Sequence, residues 1–357
     1  MEATKGKITA VIGAQYGSEG KGAIVAHLAN KYDVHVRVGS PNAGHTFYWN
    51  GEKHVQQSIP CGWINPNARI IIGRGALINM KLLMNELEEI EKYYPDFRKR
   101  FYIDSMAGIL DEKFHQQEGG VDGEMHRRIG STGEGVGIAR IARLKRDPNE
   151  FHLFRDVAKS YGLMDVMMDN TPRFIAEMQD GGMNIMLEGS QGSGLSLLHS
   201  HYPYCTSIDT NAAAILSEVG IAPSRLSNVL LIARTYPIRV AGNSGYMKNE
   251  ITWDEVSKRA GRPVIEKTTV THKVRRIAEW DDDLFKQTLV LNGYDCDIAL
   301  TFADYLDYQL YGETDPSALR NNAVFLDFVN KHIGWSHLKY VGTGEQTVID
   351  IQEEAND

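Results

Sequence analysis

Short runs of β-branched and other apolar residues recur along the chain, separated by stretches with helical spacing. "ITAVIG" (8–13), "NIMLEG" (184–189), "NVLLIART" (228–235) and "DIALTFAD" (297–304) each predict a buried parallel strand. Near-continuous apolar strands that alternate with helices are typical of a mainly parallel sheet covered on both faces. We therefore expect an α/β fold in which one large domain, residues 1–357, has a central sheet flanked by helices.

Local signals add a hairpin and several helices. Alternating residues on either side of Asn50-Gly51, the preferred type I′ pair, predict a β-hairpin. Thr252 and Glu255 form the spacing of a capping box and predict a helix start. Periodicity predicts further strands at 33–39 and 68–73, and helices at 19–31, 79–94 and 317–333.

Composition restricts the partners. The 357 residues carry a formal net charge of −8, which argues against a surface that follows nucleic-acid phosphates. The cysteines, Cys61, Cys205 and Cys296, lie far apart and predict neither a disulfide framework nor a zinc site. "MEATKGK" lacks the apolar core of a signal peptide, and no apolar run is long enough for a bilayer. We expect a cytoplasmic protein without membrane contact.

The segment "GAQYGSEGKG" (13–22) follows the first predicted strand. Glycines let backbone N–H groups approach an anion, the following helix N-terminus adds partial positive charge, and Lys21 adds a full charge. The segment predicts a phosphate loop like that of P-loop NTPases. It departs from the Walker A pattern, because Gln15 stands where that motif has glycine and Gly22 stands where it has Ser or Thr.

This segment resembles the "GxQWGDEGKG" signature of the adenylosuccinate synthetase family. Five further segments resemble that family's motifs in the same order along most of the chain. They are "NAGHT" (42–46), "IGSTGEGVG" (129–137), the pair "LEGSQG" (187–192) and "YPYCTS" (202–207), which is counted as one, "TVTHKVRR" (269–276), and "VGTGE" (341–345).

The resemblance implies an enzyme that condenses a 6-oxopurine nucleotide with L-aspartate, using a nucleoside triphosphate and Mg²⁺. A base removes the N1 proton, the 6-oxygen attacks the γ-phosphate, and the aspartate amine then displaces phosphate from C6. Positioning and charge stabilisation dominate such chemistry. The implied nucleotide loops are 13–23 and 42–46, the aspartate loop is 269–276, and the base-binding segments are 301–304 and 341–345.

The resemblance also assigns residues. The catalytic group comprises Ser18, Lys21, Gln191 and His45, the last as general acid. Triphosphate and donor-base contacts fall to Gly17, Ser18, Gly20, Lys21, Gly22, Ala23, Gly44, His45, Thr46, Arg275, Phe302, Asp304, Gly342, Thr343 and Gly344. The purine nucleotide is expected at Ser18, Asn42, Ser131, Thr132, Arg146, Gln191, Thr206 and Lys273. Aspartate is expected at Thr269, Val270, Thr271, Lys273 and Arg275, and Mg²⁺ at Ser18 and the Gly44 carbonyl.

A homodimer is implied by the same resemblance, because one arginine of the family reaches the purine 5′-phosphate of the neighbouring subunit. Ungapped counting places it at Arg146, while the local motif matches Arg143 equally well. In the aspartate loop, Lys273 replaces an arginine of the family, which makes its carboxylate contact less rigid.

Ser18 replaces the family's catalytic aspartate. A hydroxyl is a poor base, so Ser18 cannot take the N1 proton unaided. It also removes a carboxylate from the expected Mg²⁺ site and leaves space beside N1, where guanine carries its 2-amino group. A serine oxygen can accept a hydrogen bond from that amine.

Phe302 replaces the lysine of a guanine-binding "TKLD" strand end, although Asp304 is retained in the "TFAD" of this chain. An aromatic ring stacks on any base, so selectivity for guanine should weaken. Both departures resemble the branch of the family from bacteriophages with diaminopurine DNA, which joins L-aspartate to dGMP with ATP or dATP. That branch implies the host cytoplasm as the location.

Two alternatives remain open on the sequence. The first is a short adenylosuccinate synthetase that uses IMP and GTP, with another group as the base. The second is a nucleotide-binding pseudoenzyme or switch, which the loss of the aspartate at Ser18 would allow. His45, Gln191 and the basic aspartate loop argue against a switch, which has no need of an aspartate clamp.

Overall fold

A ten-stranded sheet forms the centre of the chain in the computed structural model, which describes residues 4–268 and 273–351. The strands in chain order are β1 (Ile8–Gly13), β2 (Val34–Arg37), β3 (His45–Trp49), β4 (Glu52–Gln56), β5 (Arg69–Ile72), β6 (Leu77–Ile78), β7 (Phe101–Asp104), β8 (Gly108–Ile109), β9 (Met167–Met168), β10 (Ile185–Gly192), β11 (Asn228–Arg234), β12 (Ile238–Arg239), β13 (Glu250–Ile251), β14 (Arg276–Ala278), β15 (Asp297–Thr301), β16 (Leu338–Gly342) and β17 (Val348–Asp350). The sheet order is β17-β16-β15-β11-β1-β10-β2-β5-β7-β9.

Every neighbouring pair in this sheet is parallel except β16 with β17. The first strand, β1, lies between β10 and β11. Parallel strands place their carboxyl ends at one edge, where open α/β sheets bind ligands. The predicted motifs at the ends of β1, β10, β15 and β16 therefore meet at one edge.

Helices cover both faces of the sheet. They are α1 (Lys21–His27), α2 (Met80–Tyr93), α3 (Glu112–Glu118), α4 (Glu124–Ile129), α5 (Val136–Lys145), α6 (Phe154–Val157), α7 (Thr171–Asp180), α8 (Ala212–Val219), α9 (Trp253–Arg259), α10 (Asp282–Asn292), α11 (Pro316–Asn321) and α12 (Ala323–His332). Alternate residues of β1 enter opposite cores: Ile12 packs with the apolar residues of α8 and α12, and Val11 with those of α1 and α2. This confirms the α/β fold with a mainly parallel sheet.

Several local predictions are confirmed. Asn50 and Gly51 both have positive φ, 52° and 79°, and join β3 to β4 as the hairpin predicts. Thr252 and Glu255 form the expected capping box at the start of α9. Among the described residues, no helix is long and apolar enough to cross a bilayer.

Three boundaries differ from the prediction. The single helix predicted at 317–333 is two helices, because Asn322 leaves helical geometry and its side chain accepts a hydrogen bond from the Phe325 N–H to begin α12. The helix predicted from residue 19 begins at Lys21, after Gly20 adopts a left-handed conformation, and its α-helical part ends at His27. The strand predicted at 297–304 ends at Thr301, because Phe302 also has positive φ.

Candidate active site

The loop from β1 to α1 has the shape of a phosphate cradle. Gly17, Ser18 and Gly20 have φ values of 86°, 58° and 85°, so the chain winds left-handed before the helix begins. No side chain caps the N-terminus of α1. Its first N–H groups therefore face the loop, where an anion could accept their hydrogen bonds. Ser18 is exposed on this loop.

Glu19 and Lys21 hold the loop together from inside. The Glu19 carboxylate, fully buried, accepts hydrogen bonds from the N–H groups of Gln15 at 3.1 Å and Gly17 at 2.8 Å. Its other oxygen lies 2.7 Å from Lys21 Nζ, which also donates to the Gln191 carbonyl at 2.6 Å. The carboxylate next to Ser18 is therefore held within the loop, and Lys21 Nζ lies against the backbone of Gln191.

The hairpin β3–β4 packs directly on α1. A Cβ atom on Gly22 would lie 2.9 Å from the Thr46 carbonyl oxygen and 3.0 Å from the His45 carbonyl carbon. The side chain that a Walker A loop carries at this position would not fit. The departure at Gly22 thus has a structural cause, and it places the hairpin beside the phosphate loop. Asn42, Gly44 and Thr46 lie on the segment that leads into this hairpin and its first strand.

His45 is buried and paired with Glu188. Its Nδ1 lies 2.5 Å from the Glu188 Oε1 atom, whereas its Nε2 has no hydrogen-bond partner among the described residues. Burial, followed by the nearby charge of Arg37, lowers the pKa of His45 to about 4, although the Glu188 carboxylate acts in the opposite direction. The imidazole is therefore neutral at pH 7, with Nδ1–H donating to Glu188 and Nε2 as a bare acceptor.

Arg37 supplies the counter-charge for this cluster. Its guanidinium donates to Glu188 at 3.1 Å and to the carbonyls of Gln56 and Ala43 at 3.2 and 2.9 Å. Burial opposes ionisation of Glu188, but Arg37 and the hydrogen bonds from His45 and the Cys61 N–H lower its pKa to about 2. Arg37 thus keeps Glu188 anionic and fixes the 42–46 segment.

The cluster of potential metal ligands around Glu188 differs from the expected Mg²⁺ site. Within the described ranges, His45, Cys61 and Glu188 place ligand atoms within 4.8 Å of one another. This nitrogen–sulfur–oxygen set, already bonded to Arg37, does not suit Mg²⁺, which prefers oxygen ligands. Ser18 and Gly44 are both exposed and offer neutral oxygens. They fit an ion whose charge is balanced by nucleotide phosphates, which is how Mg²⁺ is commonly bound.

On the other side of β1, Arg234 at the end of β11 is fully buried. It donates to the Ser18 carbonyl at 3.1 Å and forms a bidentate pair with Glu266 at 3.2 and 2.5 Å. Its guanidinium carbon also lies 4.0 Å from the centre of the Phe302 ring. One face of Phe302, expected to stack on a base, is therefore covered by Arg234.

Asp304 is 2% exposed and forms an ion pair with Arg262. Burial raises the pKa of this carboxyl to about 6, against the opposing effect of Arg262. The expected neighbours Gly342, Thr343 and Gly344 follow at the end of β16, where the Thr343 hydroxyl donates to the Glu313 carbonyl at 2.6 Å. Phe302, Asp304 and 342–344 thus belong to adjacent strand ends, as the resemblance implied.

The aspartate loop is described only at its base. Thr269, Val270 and Thr271 lie outside the described residues. Three hydrogen bonds join the Lys273 backbone to Thr268, and the backbone N–H of Arg275 donates to the Glu266 carbonyl at 2.9 Å. Lys273 is exposed and Arg275 half-buried, with burial lowering the pKa of Arg275. Glu266 thus links this loop to Arg234 and, through it, to Ser18.

The remaining predicted purine residues lie on other segments. The Ser131 hydroxyl donates to Glu118 at 2.5 Å, so it is bonded within its own segment, which continues to Thr132. Thr206 donates its N–H to the Leu195 carbonyl at 2.8 Å. These hydrogen bonds do not connect the two residues to the phosphate loop.

The two candidate arginines near the end of α5 differ. The Arg143 guanidinium donates to the Met106 carbonyl at 3.1 Å and packs 5.7 Å from the Phe151 ring centre. Arg146 is exposed in a left-handed conformation just after the helix. Arg143 is thus partly engaged within its own chain, whereas Arg146 is exposed to solvent.

Sequence reasoning missed several ionic residues of the site. They are Glu19, Arg37, Glu188, Arg234, Arg262 and Glu266. A signal was available for two of them: Arg37 and Glu188 interrupt otherwise apolar strands, and buried charges are paired. Because 151 residues separate them, the sequence gives no indication that these two pair with each other.

Together, the loop and its ionic supports define a phosphate-binding α/β enzyme. A family model described as adenylosuccinate synthetase matches residues 10–161 and 149–310. The chain belongs to this family, whose members are C–N bond-forming ligases.

Curated relatives agree with that assignment over nearly the whole chain. The adenylosuccinate synthetase of Methanococcus maripaludis strain S2 is 34% identical over 97% of this chain and 99% of its own length. That of Thermococcus sibiricus is 32% identical over 96% and 98%.

Two solved structures are similar. The cyanophage S-2L succinoaminodeoxyadenylate synthetase (PurZ), described as bound to dGMP and to dATP as an energy donor, is 28% identical. It has a TM-score of 0.79 and covers 98% of this chain and 97% of its own. The fully ligated adenylosuccinate synthetase of Plasmodium falciparum, at 19% identity and TM-score 0.79, covers 97% and 100% and shares the fold.

Proposed function

We propose that the chain joins dGMP to L-aspartate with ATP or dATP, giving 2-amino-2′-deoxy-N6-succinyladenylate. The observation that carries the proposal is the exposed Ser18 on a loop whose own carboxylate, Glu19, is buried against Lys21. The loop thus presents a small neutral group where an aspartate would crowd the 2-amino edge of guanine. The similarity to a phage enzyme bound to dGMP and dATP supports this reading.

The reaction has two steps. The guanine 6-oxygen attacks the γ-phosphorus as N1 loses its proton, and the nucleoside diphosphate leaves. The aspartate amine then attacks C6, phosphate leaves, and a further proton is released. Lys21 and the N-terminus of α1 hold and stabilise the transferring phosphoryl group, because preorganised donors act strongly in a buried site. Mg²⁺, bound by Ser18, the Gly44 carbonyl and the phosphates, would supply further positive charge.

His45 changes its role when nucleotides bind. In the ligand-free chain its Nε2 is an acceptor, since its pKa is about 4. A nearby phosphate dianion raises the pKa of an imidazole, and Glu188 stabilises the resulting imidazolium. His45 thus becomes a hydrogen-bond donor to developing negative charge only after the nucleotides arrive.

A homodimer completes the purine site in this proposal. Arg146, exposed at the end of α5, would reach the 5′-phosphate of the neighbouring subunit's nucleotide. The same helix exposes Ile141 and Leu144, at 56% and 76%, which is consistent with an apolar partner surface. Sedimentation equilibrium should give twice the 40.0 kDa chain mass, and a monomer that is fully active would contradict the shared site. The expected compartment is the cytoplasm, that of the host for a phage-encoded chain.

A second candidate is an adenylosuccinate synthetase that uses IMP and GTP, favoured by the 34% identity to the archaeal relatives. The deciding experiment measures phosphate release with dGMP, GMP or IMP against ATP, dATP or GTP, each with and without L-aspartate. We expect dGMP with ATP to exceed IMP with GTP by at least about tenfold, roughly 1.4 kcal/mol.

Each other outcome of this panel has a defined meaning. Equal or faster turnover with IMP and GTP would establish the second candidate. Phosphate release that ignores L-aspartate would indicate a nucleotide hydrolase or switch instead of a ligase. Mass spectrometry of the product confirms which purine has gained the succinyl group.

A further inference from the structure

Arg262 contacts the base-binding segment 301–304, although no sequence motif includes this arginine. It pairs with Asp304, and its guanidinium carbon lies 4.1 Å from the centre of the Tyr311 ring. Tyr311 in turn lies beside Gly344, where an added Cβ would be 3.7 Å from the Tyr311 ring. The guanidinium thus fills the space between the end of β15 and the segment that follows β16.

This space is connected to the phosphate loop by direct contacts. The Thr301 hydroxyl, one residue before Phe302, donates to the Glu19 carbonyl at 2.7 Å. The Thr235 hydroxyl donates to the Phe302 carbonyl at 2.8 Å, and its neighbour Arg234 donates to the Ser18 carbonyl. A nucleotide whose phosphates occupy the loop can therefore extend its base towards Phe302 and Asp304.

Guanine and adenine present different hydrogen-bonding groups on the edge that would face Asp304. Guanine presents two adjacent donors, N1–H and the 2-amino group, which together match a free carboxylate. Adenine presents one donor, its 6-amino group, beside one acceptor, N1. A carboxylate paired with a guanidinium offers one acceptor and one donor side by side, which matches adenine and leaves a guanine donor facing a cation.

We propose that Arg262 selects the donor base: by occupying the Asp304 carboxylate, it turns a guanine-matching acceptor into a paired acceptor and donor that matches adenine. The inference rests on the proposed function, because it concerns the donor of that reaction. A guanidinium carries five N–H donors, so Arg262 can hold Asp304 and still offer one to a base. Its flat face on Tyr311 fixes the orientation of those donors.

The chain offers a matched control. Arg259 lies three residues earlier, pairs with Glu279 at 2.8 Å and has its guanidinium carbon 5.3 Å from the Tyr236 ring centre. It therefore shares the chemistry of Arg262, an acid partner and an aromatic ring, but not its place beside Asp304. A general effect of losing a stacked, paired arginine would appear in both variants.

The test compares kcat/KM for ATP and GTP, with dGMP and L-aspartate saturating. We expect Arg262→Met to lower the ATP-to-GTP ratio at least tenfold, chiefly through a lower KM for GTP, while Arg259→Met leaves the ratio unchanged. Adding Asp304→Asn to Arg262→Met should abolish the gain with GTP, because that gain requires a free carboxylate. An equal loss with both donors, or an unchanged ratio, would overturn the role of Arg262.

A conservative variant and the donor preference of the wild type distinguish failure of this inference from failure of the proposed function. Arg262→Lys retains the ion pair and protects against a folding failure, and it should lower the ratio about threefold because the fork geometry is lost. No change in this variant also contradicts the inference. A wild type that prefers GTP overturns the proposed donor, whereas an ATP preference that survives Arg262→Met overturns only the selection by Arg262.

Discussion

The groups on the two sides of β1 support the same phosphate loop with different kinds of contact. On the β10 side, the ionic groups Arg37, Glu188 and His45 are all buried, and Arg37 and His45 both bond to Glu188. On the β11 side, Arg234 and Arg262 each pair with an acid and also lie against an aromatic ring. Arg262 and Glu266 on that side are partly exposed.

This difference determines how well each side should tolerate the loss of a charged side chain. Removing one partner from a fully buried ionic cluster leaves an uncompensated charge, which is costly. The cluster around Glu188 is therefore constrained as a unit. A partly exposed arginine on a ring loses less when replaced, because water can solvate what remains. Substitutions at Arg262 should accordingly disturb the fold less than substitutions in the cluster around Glu188.

Lys21 joins the loop to the β10 side through the Gln191 carbonyl, and its loss should give the largest effect. Lys21→Ala should lower kcat at least about a hundredfold, since a preorganised donor to the phosphoryl group disappears. Steady-state kinetics with saturating substrates measure this. Lys31→Ala, which removes an exposed lysine paired with Asp350, is the control and should leave kcat unchanged. A nearly normal kcat for Lys21→Ala would mean that the loop is only a structural turn.

The two sides should also respond oppositely to acid. Burial lowers the pKa of His35 and of His45, both on the β10 side, to about 4. Their folded-state pKa values lie below the ordinary 6.5, so the stability they contribute is complete above pH 6.5 and is lost towards pH 4. Moving from pH 7.5 to 5.0 should remove about 2 kcal/mol for each histidine.

Asp304 on the β11 side has the opposite effect on folding stability. Its pKa is raised from 3.8 to about 6, so the stability that it contributes is lost as pH rises. Urea unfolding at both pH values provides the measurement. His35→Gln should reduce the acid loss by about 2 kcal/mol, and Asp304→Asn should increase it by about 1 kcal/mol. The same acid loss in all three proteins would contradict the buried, neutral state of the histidine.

Substitution of Ser18, which lies between the two sides, should give the smallest change in activity. Its left-handed backbone tolerates Asp and Asn better than most residues. Ser18→Asp restores a base and crowds the guanine edge, so the ratio of kcat/KM for IMP over dGMP should rise at least about tenfold, roughly 1.4 kcal/mol.

Ser18→Asn has the same size without the charge and serves as the control for this ratio. All measurements use the same triphosphate donor. An equal rise with Asn would assign the effect to size instead of basicity. A flat or falling ratio with Asp would show that Ser18 does not select the purine.

Local sequence signals predicted the parts of the fold that depend on near neighbours. The Asn50-Gly51 pair predicted the hairpin because few other residues adopt two consecutive positive φ angles. The apolar runs predicted β1, β10, β11 and β15 because both faces of a parallel strand are buried. The helix break at Asn322 was missed, since apolar periodicity continues through it while the cap does not depend on periodicity.

The site shows the same limit. Motifs indicated the phosphate loop and named Lys21 and Gln191 as site residues, but the contact of Lys21 with the Gln191 carbonyl appears only in three dimensions. Asp304 was expected to contact the donor base, and its pairing with Arg262, 42 residues earlier, appears only in three dimensions. Ionic supports of this kind carry no local pattern, because one arginine and one acid suffice at any separation.

The close packing at Gly22 has a mechanical consequence. Since no side chain separates α1 from the strand that carries His45, displacement of one moves the other. The hairpin should therefore move together with the phosphate loop. Its exposed turn at Asn50 lies at the far end of two five-residue strands. A fluorescent label at that tip would report nucleotide binding from outside the site, without touching any group that takes part in the reaction.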